Sequence, residues 1–464
     1  RVAICMRNRA EWLIAFLAAI RCGGVAALLN SRGSPAELCA AIDDVSPAVV
    51  LADRDRAARL REGGFAGRLV AAADFPVPGA AQPPVVAPAR SDDPAAILFT
   101  SGTTGRVKGA VLTHENLMTG ILGMQLSGMM VLHNTAKQLG IPVETILANL
   151  PQQAVMLAVP LFHISGLGAG FLAPLLAGSK IVMVGRWSAE AAAELIGREK
   201  VTMFSGVPTM MWDIVRAGQH LNADLSSLRN VGMGGQALSV GLLNEFRAAC
   251  PDVVMGTGYG MTETAGSVAM GMGEDFIRKS ASAGRALSLV EMRIETPDGT
   301  VLPTGSAGEI VVRGPMVMQG YWQQPEATAA VLSLDGWLRT GDIGYLDDEG
   351  YLFIVDRVKD MVISGGENIY CAEVERIINA MPGVAECAAF GIPDERLGEL
   401  LVARVVGDAL DDGAVIAEVA EKLARYKAPA EVRVDITPLP RNDVGKVDKR
   451  RLREDWIRTM EGTA

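Results

Sequence analysis

A chain of 464 residues is too long for one ordinary hydrophobic core, so two or more domains are expected. Hydrophobic residues make up 49% and charged residues 21%, which excludes a disordered chain. With 43 basic against 53 acidic side chains the net charge is −10, which argues against non-specific nucleic-acid binding and for a soluble, self-repelling particle.

The chain opens at Arg1 without Met, directly in a strand-like "RVAICM", as expected where the true start lies upstream. "EWLIAFLAAIRCG" predicts a helix stopped by Gly23 and Gly24, and "VAALLN" predicts the strand after it. In "SPAELCAAIDDV", Ser34 takes the N-cap, Pro35 the first helical position and Glu37 the capping-box position. "PAVVLAD" is the next strand, and residues 72 to 95, rich in Ala and Pro, form a connector. Later come "KIVMV", a helix from Ala189 to Glu199, "VTMFSGVP" and "LRNVGMGG". Alternation of this kind points to layered α/β subdomains with largely parallel sheets.

The pattern changes after residue 284. "EMRIETPDGT" and "GEIVVRG" alternate with period two around an Asp298-Gly299 turn, which predicts hairpins in a small β-barrel or sheet. From Asp360 a strand, the helix "AEVERIINAM", strands around "AAFGIP" and "LVARVV", and the helix "VIAEVAEKLARY" make a compact α+β unit. The expected layout is a large α/β domain with a β-barrel subdomain at 1–355, a hinge at 356–360, and a small mobile α+β domain at 361–464.

From Thr145 to Ser179 there is no Asp, Glu, Lys or Arg, a length that could span a bilayer. Pro151, Gln152, Gln153, Pro160, His163, Pro174 and several glycines interrupt it, so it reads as a buried strand "AVMLAVPLF", a glycine-rich loop and a buried helix. No integral span is expected, although peripheral membrane contact stays open. Cys5, Cys22, Cys39, Cys250, Cys371 and Cys387 are scattered, with no CxxC pair and no His at zinc spacing, and read as reduced thiols of a cytoplasmic protein.

In "ILFTSGTTGRVKGAVL" an apolar strand runs into Thr100, Ser101, Gly102, Thr103, Thr104 and Gly105, with Lys108 three residues on and a second strand behind it. Glycines, hydroxyls and a lysine in a turn between strands point to a backbone wrapped around phosphate, with a plain Gly/Ser/Thr turn as the alternative. It is not a Walker loop: Lys108 is followed by Gly109, where a hydroxyl is needed for magnesium. No G-x-G-x-x-G follows a strand, so a Rossmann dinucleotide site has little support.

Six motifs in order, "TSGTTGRVKG", "PLFHISG", "GYGMTET", "RTGD", "DRVKDMVISGGENIY" and "PRNDVGK", closely resemble those of the adenylate-forming superfamily of acyl-CoA synthetases, luciferases and peptide-synthetase adenylation domains. The resemblance covers essentially the whole chain. It implies that the Thr100–Lys108 loop holds the β and γ phosphates of ATP while the α phosphate is attacked. It assigns adenine stacking to Tyr259, α-phosphate contact to Thr262 and magnesium ligation to Glu263. Gly234, Gly235 and Gln236 correspond to the floor beneath adenine, where glycine permits close approach. Asp342 takes the ribose diol, with Arg357 on ribose or phosphate.

The same resemblance makes Lys446 the cation that bridges the substrate carboxylate and the α phosphate, reducing their repulsion. The basic residues beyond it, Lys449, Arg450, Arg451 and Arg453, read as a solvated tail. His163 stands beside the carboxylate and thiol channel, where amino-acid-activating relatives carry Asp, so a plain acid is favoured. Rotation of the small domain about Lys359 would bring "SGGEN" into the site in place of Lys446, with Gly365 and Gly366 letting the pantetheine arm of CoA pass. Pocket candidates are Ser205, Gly206, Val207, Met233, Gly258 and Met261, with Gly166 and Ser267 beside them. The stretch 124–153 is longer than the usual connector and reads as a surface insertion, an acyl entrance or an interface.

The implied activity is that of an AMP-forming acid–thiol ligase using ATP, Mg2+ and CoA on a fatty or aromatic carboxylic acid. Loading of an acyl carrier protein and a non-catalytic binding role are the alternatives, and a homodimer is open.

Overall fold

The computed structural model describes residues 1–75, 88–100, 108–206, 208–234, 246–251, 253–357, 360–364, 367–407, 410–442 and 446–461. They divide into two compact units. One comprises Arg1–Met292, Val311–Arg339 and Glu349–Leu352; the other comprises Arg293–Ile310, Thr340–Asp348 and Phe353–Ala464.

Two seven-stranded sheets organise the first unit. In the first, the order is Gly320–Tyr321, Lys108–Thr113, Pro94–Thr100, Ala26–Leu28, Val2–Cys5, Val49–Ala52, Leu69–Ala71. The strands from Leu69–Ala71 through Pro94–Thr100 are parallel, as βαβ connections require, and Lys108–Thr113 folds back antiparallel. Helix Pro35–Val45 begins as its sequence predicts: Ser34 Oγ accepts from the Glu37 amide while the Glu37 carboxylate accepts from the Ser34 amide. Its Leu38, Ile42 and Val45 face pack with Ala3, Cys5, Val50 and Ile97 in one core.

The second sheet runs Arg285–Ala286, Gly266–Met272, Val254–Met261, Asn230–Gly234, Met203–Gly206, Ala154–Leu157, Lys180–Met183. Its strands from Lys180–Met183 to Val254–Met261 are parallel, so their carboxyl ends emerge along one edge. In open sheets of this kind that edge is where ligands bind. Helices Ala189–Glu199 and Pro208–Leu221 pack on Phe204, Val231 and Met255.

The charge-free stretch departs from its expected form. After the strand Ala154–Leu157, the glycine-rich segment is helical rather than a loop: Ile164–Leu167, a wide π turn at Gly168–Leu172, then Ala173–Leu176. A Cβ at Gly166 would lie 2.1 Å from the Pro160 carbonyl oxygen, so only glycine lets this turn close on the segment before it. Most of 124–153 is helical too: residues 124–139 continue helix His114–Leu139, and Val143–Asn149 adds a second helix. Among the described residues no helix is long and apolar enough to cross a membrane.

The hairpin-rich stretch forms a four-stranded sheet, Glu291–Glu295, Gly308–Arg313, Leu338–Leu346, Leu352–Arg357. Gly299 has a left-handed φ of 88°, as the Asp298-Gly299 turn requires. In the second unit, Gly398–Gly407 pairs with Val384–Asp394, Val362–Ser364 and Glu431–Asp435, with Glu367–Ile369 beyond. Helices Cys371–Asn379 and Asp412–Lys422 pack on one core with Leu401, Ala403 and Val432. The final helix Lys449–Glu461 sets Trp456 edge-on to Phe390, ring centroids 5.6 Å apart.

Candidate active site

The first unit brings three predicted residues to one place. Thr100 and Lys108 are directly paired across the two antiparallel strands that flank residues 101–107. The Lys108 ammonium lies 4.9 Å above the ring of Tyr321, within cation–π range. The Tyr321 hydroxyl donates to Glu263 Oε1 at 2.8 Å, and both side chains are buried, 9% and 5% exposed. Burial, the Glu263 charge and this hydrogen bond push the Tyr321 phenol well above its usual range, so it remains a donor. Tyr321 was not among the sequence candidates.

Glu263 sits in a one-turn helix, Thr262–Thr264, at the end of strand Val254–Met261. Thr264, fully buried, knits this turn: its Oγ accepts from the Met261 amide at 3.1 Å and donates toward the Met261 and Gly266 carbonyls. Ala265 follows with φ 50°, a left-handed conformation that an L-residue adopts at a cost. Helix His114–Leu139 packs over the turn through Gly120, whose added Cβ would lie 2.5 Å from the Ala265 oxygen. At that helix's start Asn116 accepts from the Thr113 amide and donates to the Pro315 and Val317 carbonyls at 2.7 and 2.8 Å. Met318 N–H in turn donates to the Glu263 carbonyl at 2.8 Å.

Of the pocket candidates, Ser205, Gly206, Met233, Gly258 and Met261 lie toward the carboxyl ends of strands of the second sheet. Ser205 pairs with Gly232, Gly206 with Met233, and Gly234 with Gly258. Gly232, Gly234, Gly256, Gly258 and Gly260 alternate along two neighbouring strands, which strips one face of side chains. Toward the strand ends that face has room: a Cβ at Gly234 would meet only the Gly258 oxygen, at 3.7 Å. Gly260 is different, because a Cβ there would lie 1.9 Å from the Gly266 oxygen across a bulge between Tyr259 and Gly260. Ser267 Oγ would lie 3.1 Å from a Cβ at Gly258, and Met261 closes the strand. Tyr259, on the other alternation, is buried at 9%. His163 stands at the start of the Ile164–Leu167 turn, its ring 4.4 Å from that of Phe162.

The second unit holds the remaining described candidates. Asp342 follows Gly341, whose φ is 71°, in strand Leu338–Leu346. The Gly341 amide donates to Glu309, and Thr340 Oγ accepts from the Asp342 amide and donates to the Ile310 carbonyl. The expected hinge is flanked by the start of helix Cys371–Asn379: the Ala372 amide donates to Asp356 and the Cys371 thiol donates to the Asp360 carbonyl.

Lys446 lies on a hairpin closed by Asn442, whose Oδ1 accepts from the Lys446 amide at 3.0 Å while its amide donates to the Lys446 carbonyl. Glu386 accepts from the Leu439 amide on the approach to this hairpin. Just beyond it Lys449 pairs with Glu375 at 2.8 Å, the side chains only 21% and 19% exposed. The basic residues after Lys446 are therefore not all a solvated tail. Lys449 is anchored and Arg453 reaches Glu399, whereas Arg450 and Arg451 are exposed as expected. Ser101, Gly102, Thr103, Thr104, Gly105, Val207, Gly235, Gln236, Lys359, Gly365 and Gly366 lie outside the described residues, and of Arg357 only the backbone is described.

A buried carboxylate positioned by a neutral donor, whose ring also carries the Lys108 ammonium, suits a nucleotide phosphate with a divalent cation. Glu263 supplies one hard oxygen donor, as magnesium on phosphates takes from protein. Among the described residues no cluster of three metal-ligating side chains exists.

Comparison with known proteins bears on this arrangement. The model of the AMP-binding enzyme family matches residues 1–322, and that of the AMP-binding enzyme C-terminal domain matches residues 373–446. Feruloyl-CoA synthase from Amycolatopsis is 38% identical over 456 residues, 98% of this chain and 88% of that protein. The long-chain-fatty-acid–CoA ligase FadD13 of Mycobacterium tuberculosis is 32% identical over 472 residues, 99% of this chain and 89% of its own length. Among solved structures, o-succinylbenzoate CoA synthetase from Bacillus subtilis, in complex with its acyl-adenylate intermediate, superposes with a TM-score of 0.81 at 33% identity, covering 97% of this chain and 87% of that one.

Proposed function

We infer the reaction from a plain premise: the chain belongs to the AMP-binding enzyme family and is an ATP-dependent acyl-CoA ligase. The acid is apolar, fatty or aromatic. A carboxylate attacks the α phosphate of ATP to give acyl-AMP and pyrophosphate, and the CoA thiol then displaces AMP. The observation that carries this reading is the Lys108–Tyr321–Glu263 contact. The side-chain-free face at Gly232, Gly256 and Gly258, which Ser205 shares, supports a flat or slender apolar acid. The chemistry of the acids named for the relatives, ferulate and long-chain fatty acids, agrees.

In this reading residues 100–105 and Lys108 bind the β and γ phosphates, and Thr262 contacts the α phosphate. Tyr259 stacks on adenine, with Gly234, Gly235 and Gln236 as its floor, while Asp342 and Arg357 hold the ribose. Glu263 holds Mg2+, which would neutralise phosphate charge. Lys446 sits between the carboxylate and the α phosphate, so that an anion can approach a polyanion and the developing charge is stabilised. His163 lines the acid and thiol end. Residues 1–355 and 361–464 act as two domains about a hinge at 356–360, with Lys359 as pivot, and Gly365 and Gly366 face the pantetheine arm in the second step. Six free thiols fit a reducing, cytoplasmic setting.

The test is release of AMP and pyrophosphate with ATP and magnesium across a panel of fatty and aromatic acids, with and without CoA. Turnover requiring both an apolar acid and CoA is the expected result. Acyl-AMP that forms but stalls with free CoA would move the acceptor to a carrier protein. Absence of adenylation with every acid would overturn the reading.

A further inference from the structure

Tyr321 touches both charges of the phosphate site. Its hydroxyl donates to Glu263 Oε1 at 2.8 Å, and its ring lies 4.9 Å beneath the Lys108 ammonium. A phenol is a neutral donor, so it orients the carboxylate without neutralising it. The ring face attracts the ammonium without offering it a counter-ion. A carboxylate meant for a cation and a lysine meant for phosphate are thus held by one rigid side chain.

The main chain that carries this side chain is fixed from several directions. Gly320–Tyr321 pairs with Val111 and Ala110 at the edge of the first sheet, and the Trp322 amide donates to the Gly109 carbonyl at 2.8 Å. The Tyr321 amide donates to Thr328 Oγ1 at 2.9 Å, and that hydroxyl donates on to the Gln324 carbonyl. Gly320, at φ 149°, would place a Cβ 2.9 Å from Thr328 Cγ2, so glycine there lets the Thr328 contact form. The Trp322 indole is tied to the Asp44 carbonyl at 3.1 Å. This is the preorganisation that a charge-stabilising site needs: a support whose own rotamer is set by its surroundings.

We propose that Tyr321 is a positioning residue of the adenylation step, orienting the Glu263 carboxylate for the divalent cation through its hydroxyl and setting Lys108 for the phosphates through its ring. The inference rests on the reading above, in which Glu263 holds Mg2+ and Lys108 meets phosphate. The two variants Tyr321→Phe and Tyr321→Leu separate the two contacts, since phenylalanine keeps the ring and leucine removes both.

The readouts are the magnesium dependence of acyl-AMP formation, and equilibrium binding of a fluorescent ATP analogue with and without Mg2+. In Tyr321→Phe, half-maximal adenylation is expected to need about tenfold more magnesium, the order of one hydrogen bond to a charged group. Metal-free analogue binding should stay at the wild-type level in Tyr321→Phe and weaken in Tyr321→Leu. Combined with Glu263→Gln, Tyr321→Phe should add little, because both act on one interaction. A merely structural role would lower thermal stability and turnover without moving the magnesium requirement.

Wild-type magnesium dependence in Tyr321→Phe, or independent multiplying effects in the double variant, would overturn the proposal. So would a Glu263→Gln enzyme with unchanged magnesium dependence. If wild type adenylates no acid, the proposed reaction fails by itself, and the binding titrations still decide whether Tyr321 sets the nucleotide contacts. Tyr321→Phe is near-isosteric, so the test survives even if Tyr321→Leu does not fold.

Discussion

Lys449 Nζ and Glu375 Oε1 lie 2.8 Å apart, three residues beyond Lys446 and largely out of solvent. Glu375 also accepts from the Ala389 amide, so it joins the first turn of the last helix to helix Cys371–Asn379 and to strand Val384–Asp394. Removing one partner leaves a charge in a poorly solvated place, whereas replacing both with apolar side chains does not. Lys449→Ala is expected to destabilise this unit by roughly 2 kcal/mol, between the values for exposed and buried pairs. Urea denaturation followed by Trp456 fluorescence checks this. The double variant Glu375→Leu/Lys449→Met should recover most of the loss, and a double variant as weak as the single one would count against the pairing.

Lys446 should matter to one half-reaction only. The cation that lets a carboxylate approach the α phosphate has no repulsion between two anions left to offset once the adenylate is made. Lys446→Ala is expected to slow acyl-AMP formation on the order of 10²–10³-fold. Conversion of chemically supplied acyl-AMP to acyl-CoA should remain within a fewfold of wild type. Equal losses in both halves would place Lys446 outside the bridging role.

What could be read in advance follows the range of the interaction. The Ser34–Glu37 capping box and the helix Ala189–Glu199 depend on neighbours in the chain, and they form as their residues predict. Thr262 and Glu263 fall in one turn because they are adjacent. Tyr321 reaches Glu263 across 58 positions, and no local pattern in "GYW" announces a phenol donor. Lys449 was misread for the same reason: beside Arg450 and Arg451 it looks like part of a charged tail, and only the fold supplies Glu375. The π turn at Gly168–Leu172 shows another limit, since glycine spacing marks a close approach without naming the conformation that makes it.

Two glycines of helix His114–Leu139 should respond to alanine with opposite signs. Gly120 meets the Ala265 oxygen, with 2.5 Å left for a Cβ, while Gly128 has nothing within 4 Å. Gly120→Ala must push the helix off the turn that carries Thr262 and Glu263, and is expected to cost about 1–3 kcal/mol, the range for overpacking. It should weaken ATP binding as well. Gly128→Ala only removes backbone freedom from the unfolded chain, and should stabilise by about 0.5–1 kcal/mol. Thermal denaturation of the two variants gives the signs, and a matching loss in both would show that helix propensity is not what Gly128 governs.

The cysteines divide by exposure and so by reactivity. Cys22 is exposed and Cys39 half-buried, whereas Cys5, Cys250, Cys371 and Cys387 are buried. Burial, with the Asp53 charge second, pushes the Cys5 thiol up to about 12, and burial pushes Cys250 up to about 11. Both pKa values lie above that of a thiol in an unfolded chain, roughly 8.5, so the folded state holds these protons longer. The contribution is therefore fully present below roughly pH 8.5 and is lost as pH rises toward 11 and 12, at about 1.4 kcal/mol per pH unit for each thiol within its window. Iodoacetamide at neutral pH should label Cys22 first and spare the buried four until the chain unfolds. The urea midpoint should fall between about pH 9 and pH 11, and the fall should be shallower in Cys5→Ala/Cys250→Ala. An equally steep alkaline fall in that variant would assign the loss to other groups.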